Sequence, residues 1–426
     1  MRLAHKHLGQ TPPKHLPHQL INCAPQHTAA IVLDILKGSF ISDAMKPSQI
    51  PLLTRRATRQ WRTVPHSQSP TLRSYSTSSP SPRTSPFAPR HLLSIADLTP
   101  SELTTLVRNA ARHKQSLKSG GSLPHALRTG LAGRTIALLF SKRSTRTRIS
   151  SEGAVVALGG HPMFLGSGDI QLGVNESLYD TSVVVSSMVA GIVARVGKHE
   201  EVLQMARYSA VPVINALSDA FHPMQTVADL LTMAEACVEP ERLYGEKGEL
   251  LGMQGKRVAW VGDLNNVFYD LSLGAMKQGM IVSAAAPKGY DDVETVRGEW
   301  EKITKSEAKK KNSLVPRLSD SPLAAVQRAD FIFTDTWISM GQEEEKAKRL
   351  RAFEGYQVTM NMAQLASADP DWKFMHCLPR HQDEVDDEVF YHPEKSLVFP
   401  GAENRLWAAL AILEAFIVRE GRIEYG

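Results

Sequence analysis

The sequence has no uninterrupted apolar segment as long as a transmembrane helix requires, so we expect no membrane span. Cysteine is scarce, because Cys23, Cys237 and Cys377 are the only three in 426 residues. Their spacing suits neither a disulfide framework nor a paired metal site, and it is consistent with a reducing compartment. Hydrophobic residues make up 42% of the chain and charged residues 22%, as in an ordinary globular protein. The length allows two or three domains.

A dinucleotide-binding fingerprint is also missing. The segment Gly262-Asp263-Leu264-Asn265-Asn266 follows a predicted strand, where such a fingerprint would stand, but it lacks the required glycine spacing. We therefore expect no nicotinamide cofactor.

Acidic residues are nearly absent from the first 90 positions. Residues 1–90 contain twelve Lys or Arg residues and two acids, Asp34 and Asp43, so this segment carries +10 and the remainder −5. The overall charge of +5 therefore belongs to the N-terminal segment and gives no argument for a nucleic-acid-binding surface. We expect neither a nucleic acid nor a membrane as a partner.

The composition of this segment is typical of a mitochondrial transit peptide. It is rich in Arg, Ser, Pro and His and lacks the apolar core of a secretory signal. Arg73-Ser74-Tyr75-Ser76 resembles a matrix-processing site with cleavage after Tyr75. The part from Met45 is a complete transit peptide by itself, which leaves the true start open. We expect residues 1–90 to be a disordered leader that directs the protein to the mitochondrial matrix, the alternative being a disordered basic tail.

From about Leu92 onward, short apolar runs alternate with longer amphipathic runs. Arg257 to Gly262 is typical of a strand, and the final apolar run predicts a helix from Ala402 to Val418. A polar stretch, Glu239 to Gly255, separates two such alternating series. We therefore predict an α/β fold with two open parallel-sheet domains joined by helices. In this architecture ligands bind at the carboxyl ends of the strands.

One strand-to-helix junction carries a dense set of anion-binding groups. The buried strand predicted for Thr135 to Phe140 leads into Ser144-Thr145-Arg146-Thr147-Arg148, which predicts the first turn of a helix. The free N–H groups of such a turn bind anions, and hydroxyl and guanidinium groups add donors that suit phosphate. We predict a phosphate site here. The alternative is a helix that is capped by Ser144 and carries surface arginines.

Four ordered motifs resemble the ornithine branch of the transcarbamylase family. Ser144 to Arg148 is similar to the family's carbamoyl-phosphate motif, and His222-Pro223-Met224-Gln225 to its His-Pro-x-Gln motif. Asp335-Thr336-Trp337-Ile338-Ser339-Met340-Gly341 resembles the Ser-Met-Gly loop of the ornithine branch. His376-Cys377-Leu378-Pro379 resembles the branch's His-Cys-Leu-Pro motif. The resemblance covers most of the chain from Leu92.

The resemblance implies a domain plan and a reaction. Residues 91–235 would bind carbamoyl phosphate, residues 236–400 would bind L-ornithine, and residues 401–426 would form a helix that packs back on the first domain. The family makes citrulline and phosphate from these substrates without a metal or an organic cofactor. The resemblance also implies a homotrimer with active sites at the subunit boundaries.

The family's site residues carry over at matching positions. The predicted carbamoyl-phosphate ligands are Ser144, Thr145, Arg146, Thr147, Arg195, His222, Gln225, Cys377, Leu378 and Arg405. The predicted ornithine ligands are Asn266, Asp335, Ser339 and Met340, with Asp335 on the α-amine. The predicted catalytic residues are Arg146, His222 and Cys377. Without the resemblance, Arg195 would be expected in a surface ion pair and Cys377 would be expected to be a buried strand cysteine.

The resemblance also suggests roles for these groups. His222, at a helix start, would direct a hydrogen bond to the carbamoyl oxygen, and Gln225 would face the carbamoyl amide. Leu378 would contribute through its backbone. Cys377 would either accept a proton from the δ-amine or only position that amine, and both roles remain open.

Two other functions are weighed against this one. The first alternative is a transcarbamylase that transfers the carbamoyl group to another acceptor. Aspartate would call for cationic groups where Asp335 and Ser339-Met340 stand, whereas putrescine lacks only the α-carboxylate. The second is a non-catalytic regulator of the same fold, binding a partner enzyme such as arginase. Every motif position is filled here, which favours an enzyme.

Overall fold

A computed structural model describes residues 88–169, 176–245, 250–307, 315–338 and 345–425 of the protein. Most of the predicted leader, including the cleavage site after Tyr75, lies outside these ranges, as do Ser339 and Met340. Within them, strands alternate with helices and form two sheets whose strands all pair in parallel. The predicted α/β fold with two open parallel sheets is confirmed. Among the helices described, none has both the length and the apolar character needed to cross a membrane.

The first sheet consists of β1 (Thr135–Phe140), β2 (His161–Gly166), β3 (Gly191–Arg195) and β4 (Val213–Leu217). Its strand order is β2-β1-β3-β4. The central strands β1 and β3 are almost wholly buried, as their continuous apolar sequences predict for parallel strands that are covered on both faces.

Seven helices accompany the first sheet in the described chain. They are α1 (Pro100–Lys118), α2 (His125–Arg128), α3 (Arg146–Ala157), α4 (Leu178–Ser186), α5 (His199–Tyr208), α6 (Pro223–Cys237) and α7 (Pro240–Leu243). A capping box starts α1, since the Thr99 hydroxyl accepts from the Glu102 N–H and the Glu102 carboxylate accepts from the Thr99 N–H. Pro223 occupies the first position of α6, where its missing N–H has no cost.

The second sheet consists of β5 (Arg257–Val261), β6 (Ile281–Ala285), β7 (Arg317–Ser319), β8 (Phe331–Thr334) and β9 (Lys373–His376). Its strand order is β7-β6-β5-β8-β9. The helices that follow α7 in the described residues are α8 (Asn266–Lys277), α9 (Glu294–Glu307), α10 (Pro322–Val326), α11 (Lys346–Ala352), α12 (Met360–Leu365), α13 (Asp387–Phe390) and α14 (Val398–Leu413). Asn265 caps α8 by accepting from the N–H groups of Val267 and Phe268.

The last helix lies against the first half of the chain. α14 packs on α1, α3 and α6, and a π-helical turn, Glu414–Val418, continues it. Its apolar residues join one large core that also contains Leu138 of β1 and Trp260 of β5. Arg90, which the sequence placed in the leader, forms an ion pair with Glu102 and lies over the Phe416 ring. The folded part of the chain therefore includes Arg90.

Each sheet has one point where the strand order reverses. In the first sheet this point lies between β1 and β3, and in the second between β5 and β8. Crossover helices leave such a pair of strands in opposite directions, which opens a crevice at their carboxyl ends. Ser144 to Thr147 and Arg195 stand at the first point, and Asn265, Asn266 and Asp335 at the second.

Candidate active site

A cleft of about 750 Å³ opens at the carboxyl ends of strands from both sheets. Eleven predicted site residues line it: Ser144, Thr145, Arg146, Thr147, Arg195, His222, Asn266, Asp335, Cys377, Leu378 and Arg405. Positions more than 230 residues apart in sequence thus share one cavity.

The start of α3 forms one wall of the cleft. Arg146 is the first residue of the helix, and the Ser144 hydroxyl accepts from the Thr147 N–H at 3.3 Å. The Thr145 side chain makes no capping bond to the helix. The start of α3 therefore presents free N–H groups and hydroxyl groups to the cleft, as an anion site requires.

Three guanidinium groups converge beside this helix start: Arg146 on α3, Arg195 at the end of β3 and Arg405 on α14. Burial, reinforced by the charge of Arg146, lowers the pKa of Arg195 to about 10. Burial also lowers the pKa of Arg405 to about 10, with opposition from Cys377 and reinforcement from Arg146. None of the three pairs with a carboxylate of the described residues, and the Nε atoms of Arg146 and Arg195 are buried without a partner. The three groups together concentrate positive charge at the start of α3.

His222 stands at the start of α6 and is 2% exposed. Burial and the neighbouring charges of Arg405, Arg195 and Arg146 hold its pKa well below 6.5. The imidazole is therefore neutral at physiological pH and carries a single N–H donor. Its Nδ1 is buried without a partner, and its Nε2 lies 3.4 Å from Nη2 of Arg405.

Gln225 is held behind the wall of the cleft. Its amide oxygen accepts from Nη1 of Arg405 at 2.7 Å, and its amide nitrogen donates to Asp229 Oδ1 at 2.9 Å. Nη2 of Arg405 donates to the Thr147 hydroxyl at 2.6 Å. Gln225 is absent from the cleft lining because its position, one turn into α6, puts it beneath Arg405. Its contact with a carbamoyl amide stays a prediction.

Cys377 and Asp335 form a hydrogen-bonded pair on the opposite wall. The thiol donates to Asp335 Oδ1, with 2.7 Å between sulfur and oxygen, and the Asn265 amide donates to Oδ2 at 2.8 Å. Burial, then the charge of Asp335, raises the pKa of Cys377 well above 9.0. The thiol is therefore protonated at neutral pH.

The last residue of β9 brings a third polar group to this pair. Ligand atoms of Asp335, His376 and Cys377 lie within 4.8 Å of one another, as metal ligands do. However, Nδ1 of His376 accepts from the Leu378 N–H at 2.9 Å, and its Nε2 faces Glu384 at 3.1 Å. Since both ring nitrogens have protein partners and the thiol is neutral, this donor set fits a hydrogen-bonded loop better than a metal centre.

Comparisons with known proteins agree with this geometry. A family model for the carbamoyl-P binding domain of aspartate/ornithine carbamoyltransferases matches residues 90–235, and one for their Asp/Orn binding domain matches residues 254–416. The chain belongs to the aspartate/ornithine carbamoyltransferase family.

Individual relatives lie within the ornithine branch. The mitochondrial ornithine carbamoyltransferase of Aspergillus terreus is 57% identical over 352 residues, which are 83% of this chain and 95% of the relative. The mitochondrial enzyme of Emericella nidulans is 56% identical over 358 residues, 83% of this chain and 96% of the relative. The crystal structure of the enzyme from Coccidioides immitis superposes with a TM-score of 0.70 at 52% identity, over 79% of this chain and 100% of that one.

Sequence reasoning missed Glu384. This carboxylate is 1% exposed and accepts from the N–H groups of Trp337 and His381, in addition to facing His376. Burial opposes its ionisation, but these hydrogen bonds, chiefly that from His376, lower its pKa below 4.5. Glu384 thereby ties the loop after β8 to the loop after β9. A single acid in a polar stretch gives no sequence signal of that role.

Two further cleft residues are held by the backbone around them. Leu378 has φ of 64°, a left-handed conformation that is uncommon for a branched residue and that clusters at functional sites. The Asn266 amide donates to the Ser218 carbonyl, so the start of α8 is tied to the loop after β4. The second sheet is thereby anchored to the first at the cleft itself.

Proposed function

We propose that the protein transfers the carbamoyl group of carbamoyl phosphate to the δ-amine of L-ornithine, giving L-citrulline and phosphate. One observation carries the proposal. A single cleft holds three guanidinium groups without a carboxylate partner on one wall and a carboxylate–thiol pair on the other. The first wall suits a dianionic phosphoryl group and the second an amino acid with two amines.

Carbamoyl phosphate is held through its phosphate. Arg146, Arg195 and Arg405 neutralise the dianion, and the N–H groups of α3 with the Thr147 hydroxyl add donors. As the amine attacks, charge builds on the carbamoyl oxygen. The N–H of neutral His222 and a guanidinium N–H of Arg146 stabilise that oxygen, and each such donor contributes roughly 3–4 kcal/mol to lowering a barrier of this kind.

Ornithine must present an unprotonated δ-amine. An alkylammonium has a pKa near 10.4, so about one molecule in a thousand is reactive at neutral pH. Asp335 binds the α-ammonium group and accepts from the Cys377 thiol, which leaves the sulfur lone pairs free to accept from a δ-amine N–H. Because the thiol is already protonated, Cys377 orients the amine.

The bond changes balance without an external base. The δ-nitrogen forms a bond to the carbamoyl carbon, and the bond from that carbon to the bridging phosphate oxygen breaks. The proton lost by the nitrogen passes to the departing phosphate. Closure of the cleft over the ligands excludes water, which protects the labile carbamoyl donor from hydrolysis.

The proposal extends to domains, assembly and location. Residues 91–235 bind carbamoyl phosphate, residues 236–400 bind ornithine, and residues 401–426 hold the last helix on the first domain. A homotrimer fits the apolar surface of the first domain, where Ile149, Val156 and Met188 are 66%, 61% and 69% exposed. The transit-peptide composition of residues 1–90 and the mitochondrial relatives support a matrix location.

A citrulline assay tests the reaction. Protein that begins at Ser76 is incubated with ornithine, with and without carbamoyl phosphate, and citrulline is measured colorimetrically. We expect citrulline only when both substrates are present, and turnover of putrescine far below that of ornithine. Absence of citrulline would favour the regulator, and preferred turnover of putrescine would favour the other acceptor. Mass spectrometry of the protein purified from mitochondria tests cleavage after Tyr75.

A further inference from the structure

A row of polar residues runs along one face of the buried helix α6. His222, Gln225, Asp229 and Thr232 are spaced three, four and three residues apart, which puts them on the side that faces α14. Each is at most 4% exposed. A carboxylate at such depth is unusual unless it has partners, so Asp229 requires an explanation.

Asp229 is the far end of a hydrogen-bond chain that begins in the cleft. The chain runs from Thr147 through Nη2 and Nη1 of Arg405 to the amide oxygen of Gln225. From the amide nitrogen of Gln225 it reaches Asp229 Oδ1 at 2.9 Å. Asp229 does not line the cleft. Its hydrogen-bonded route to the cleft therefore runs through Gln225 and Arg405.

The chain fixes which way round the Gln225 amide lies. Arginine only donates hydrogen bonds, so the amide must turn its oxygen toward Arg405. The amide nitrogen then points into the packed interface between the helices, where a buried donor without an acceptor is costly. Asp229 is that acceptor. Without it, the amide nitrogen is a buried donor that lacks an acceptor, and the Gln225 side chain loses the contact that holds its oxygen against Arg405.

We propose that Asp229 is a positioning residue for carbamoyl-phosphate binding: its carboxyl oxygen locks the Gln225 amide, which in turn holds the Arg405 guanidinium toward the phosphate pocket. This inference rests on the function proposed above. It assigns the carboxyl group the role of an acceptor, so the amide of asparagine, which retains an acceptor oxygen in nearly the same shape, should replace it. Burial raises the pKa of Asp229 to about 7, and the protonated carboxyl also retains an acceptor oxygen.

The test compares Asp229→Ala and Asp229→Asn with a matched control, Thr232→Ala. Thr232 lies one turn further along the same face, and its hydroxyl accepts from the Asn404 amide at 2.9 Å, outside the Arg405 chain. KM for carbamoyl phosphate, KM for ornithine at saturating carbamoyl phosphate, and Tm are measured for each variant. Asp229→Ser replaces the alanine variant if the latter does not fold.

We expect Asp229→Ala to raise KM for carbamoyl phosphate about tenfold or more while KM for ornithine changes less than about threefold. Asp229→Asn should stay within about threefold of the unaltered protein in both constants. Thr232→Ala should lower Tm without changing KM for carbamoyl phosphate.

Three results would overturn the positioning role. They are an unchanged KM in Asp229→Ala, equal damage in the alanine and asparagine variants, and a comparable KM increase in Thr232→Ala. Citrulline formation by the unaltered protein distinguishes failure of this inference from failure of the proposed function. If that protein makes no citrulline, the proposed function fails. If it is active and the variants behave alike, only the role of Asp229 fails.

Discussion

The protonation state of Cys377 decides how the amine is activated, and it can be measured directly. Cys237→Ser in protein that begins at Ser76 leaves one thiol. Because burial and then the charge of Asp335 raise the pKa of Cys377, we expect its alkylation by iodoacetamide to accelerate only above pH 9.0. Asp335→Asn should lower that pKa, since it removes a negative neighbour and leaves the burial.

The same pKa sets the expected kinetics. With a pKa above 9.0, less than about a tenth of the thiol is ionised at pH 8, so a thiolate base would be a minor species. Cys377→Ser keeps a donor for Asp335 and should keep kcat within about tenfold while KM for ornithine rises. Cys377→Ala removes a hydrogen bond to a carboxylate, worth about 1.5–3 kcal/mol, and should raise KM for ornithine roughly 10- to 100-fold.

Two outcomes would refute this reasoning. One is an alkylation profile with a midpoint below pH 8, because burial could not then be the dominant influence on the thiol. The other is a loss of kcat in Cys377→Ser of about 10² to 10⁴ with KM unchanged, which is the usual cost of removing a general base. Circular dichroism of both variants controls for misfolding.

Three other predictions concern two buried charged groups and the anion site. Glu384→Gln should cost about 1–3 kcal/mol of stability at pH 7, measured by urea unfolding. Since the folded pKa of Glu384 lies below 4.5, this cost should shrink as the pH falls through that folded pKa; a pH-independent cost would contradict the ionic role. Burial lowers the pKa of Lys277 to about 8, so the unfolded state binds more protons between about pH 8 and 10.5 and stability should rise over that range. Lys277→Met should remove the rise. Inorganic phosphate at 100 times its Kd should stabilise the protein by about 2.7 kcal/mol in thermal unfolding, where chloride at equal ionic strength does not. Arg405→Leu should weaken that effect, and equal effects of the two salts would argue against an anion site.

The parts of the fold that could be predicted are those whose signal is local. The strand predicted for Thr135 to Phe140 coincides with β1, because an apolar run ending at a polar junction needs no tertiary information. By contrast, β7 has three residues, two of them exposed, and shows no periodicity that marks a strand. The segment becomes the strand β7 because it pairs with β6 in the folded sheet. The final helix begins four residues before its predicted start, at Val398.

The candidate site divides in the same way. The Ser144 to Arg148 junction was predictable because its anion-binding groups are consecutive in the chain. The resemblance supplied Asp335 and Cys377, but their mutual hydrogen bond depends on the parallel pairing of β8 with β9, which brings the two strand ends together. Glu384 and Asp229 are acidic residues that belong to none of the four sequence motifs. Their partners are contributed by other loops and helices, so only the folded chain reveals them.

The positive charge of the cleft affects how the two substrates bind. Arg146, Arg195 and Arg405 lie close enough for the charge of Arg146 to disfavour ionisation of the other two. Ornithine brings two ammonium groups at neutral pH and would enter against this positive charge. A bound phosphate dianion would offset most of it, with the strongest attraction at the buried Arg405 guanidinium. We therefore expect a bound anion to favour entry of the amino acid. A dianion bound in the same cleft as the second wall would also raise the pKa of any ammonium nearby. That rise in pKa makes the neutral amine scarcer. Contacts made only by the neutral amine, with Cys377 and with the carbamoyl carbon, must offset it.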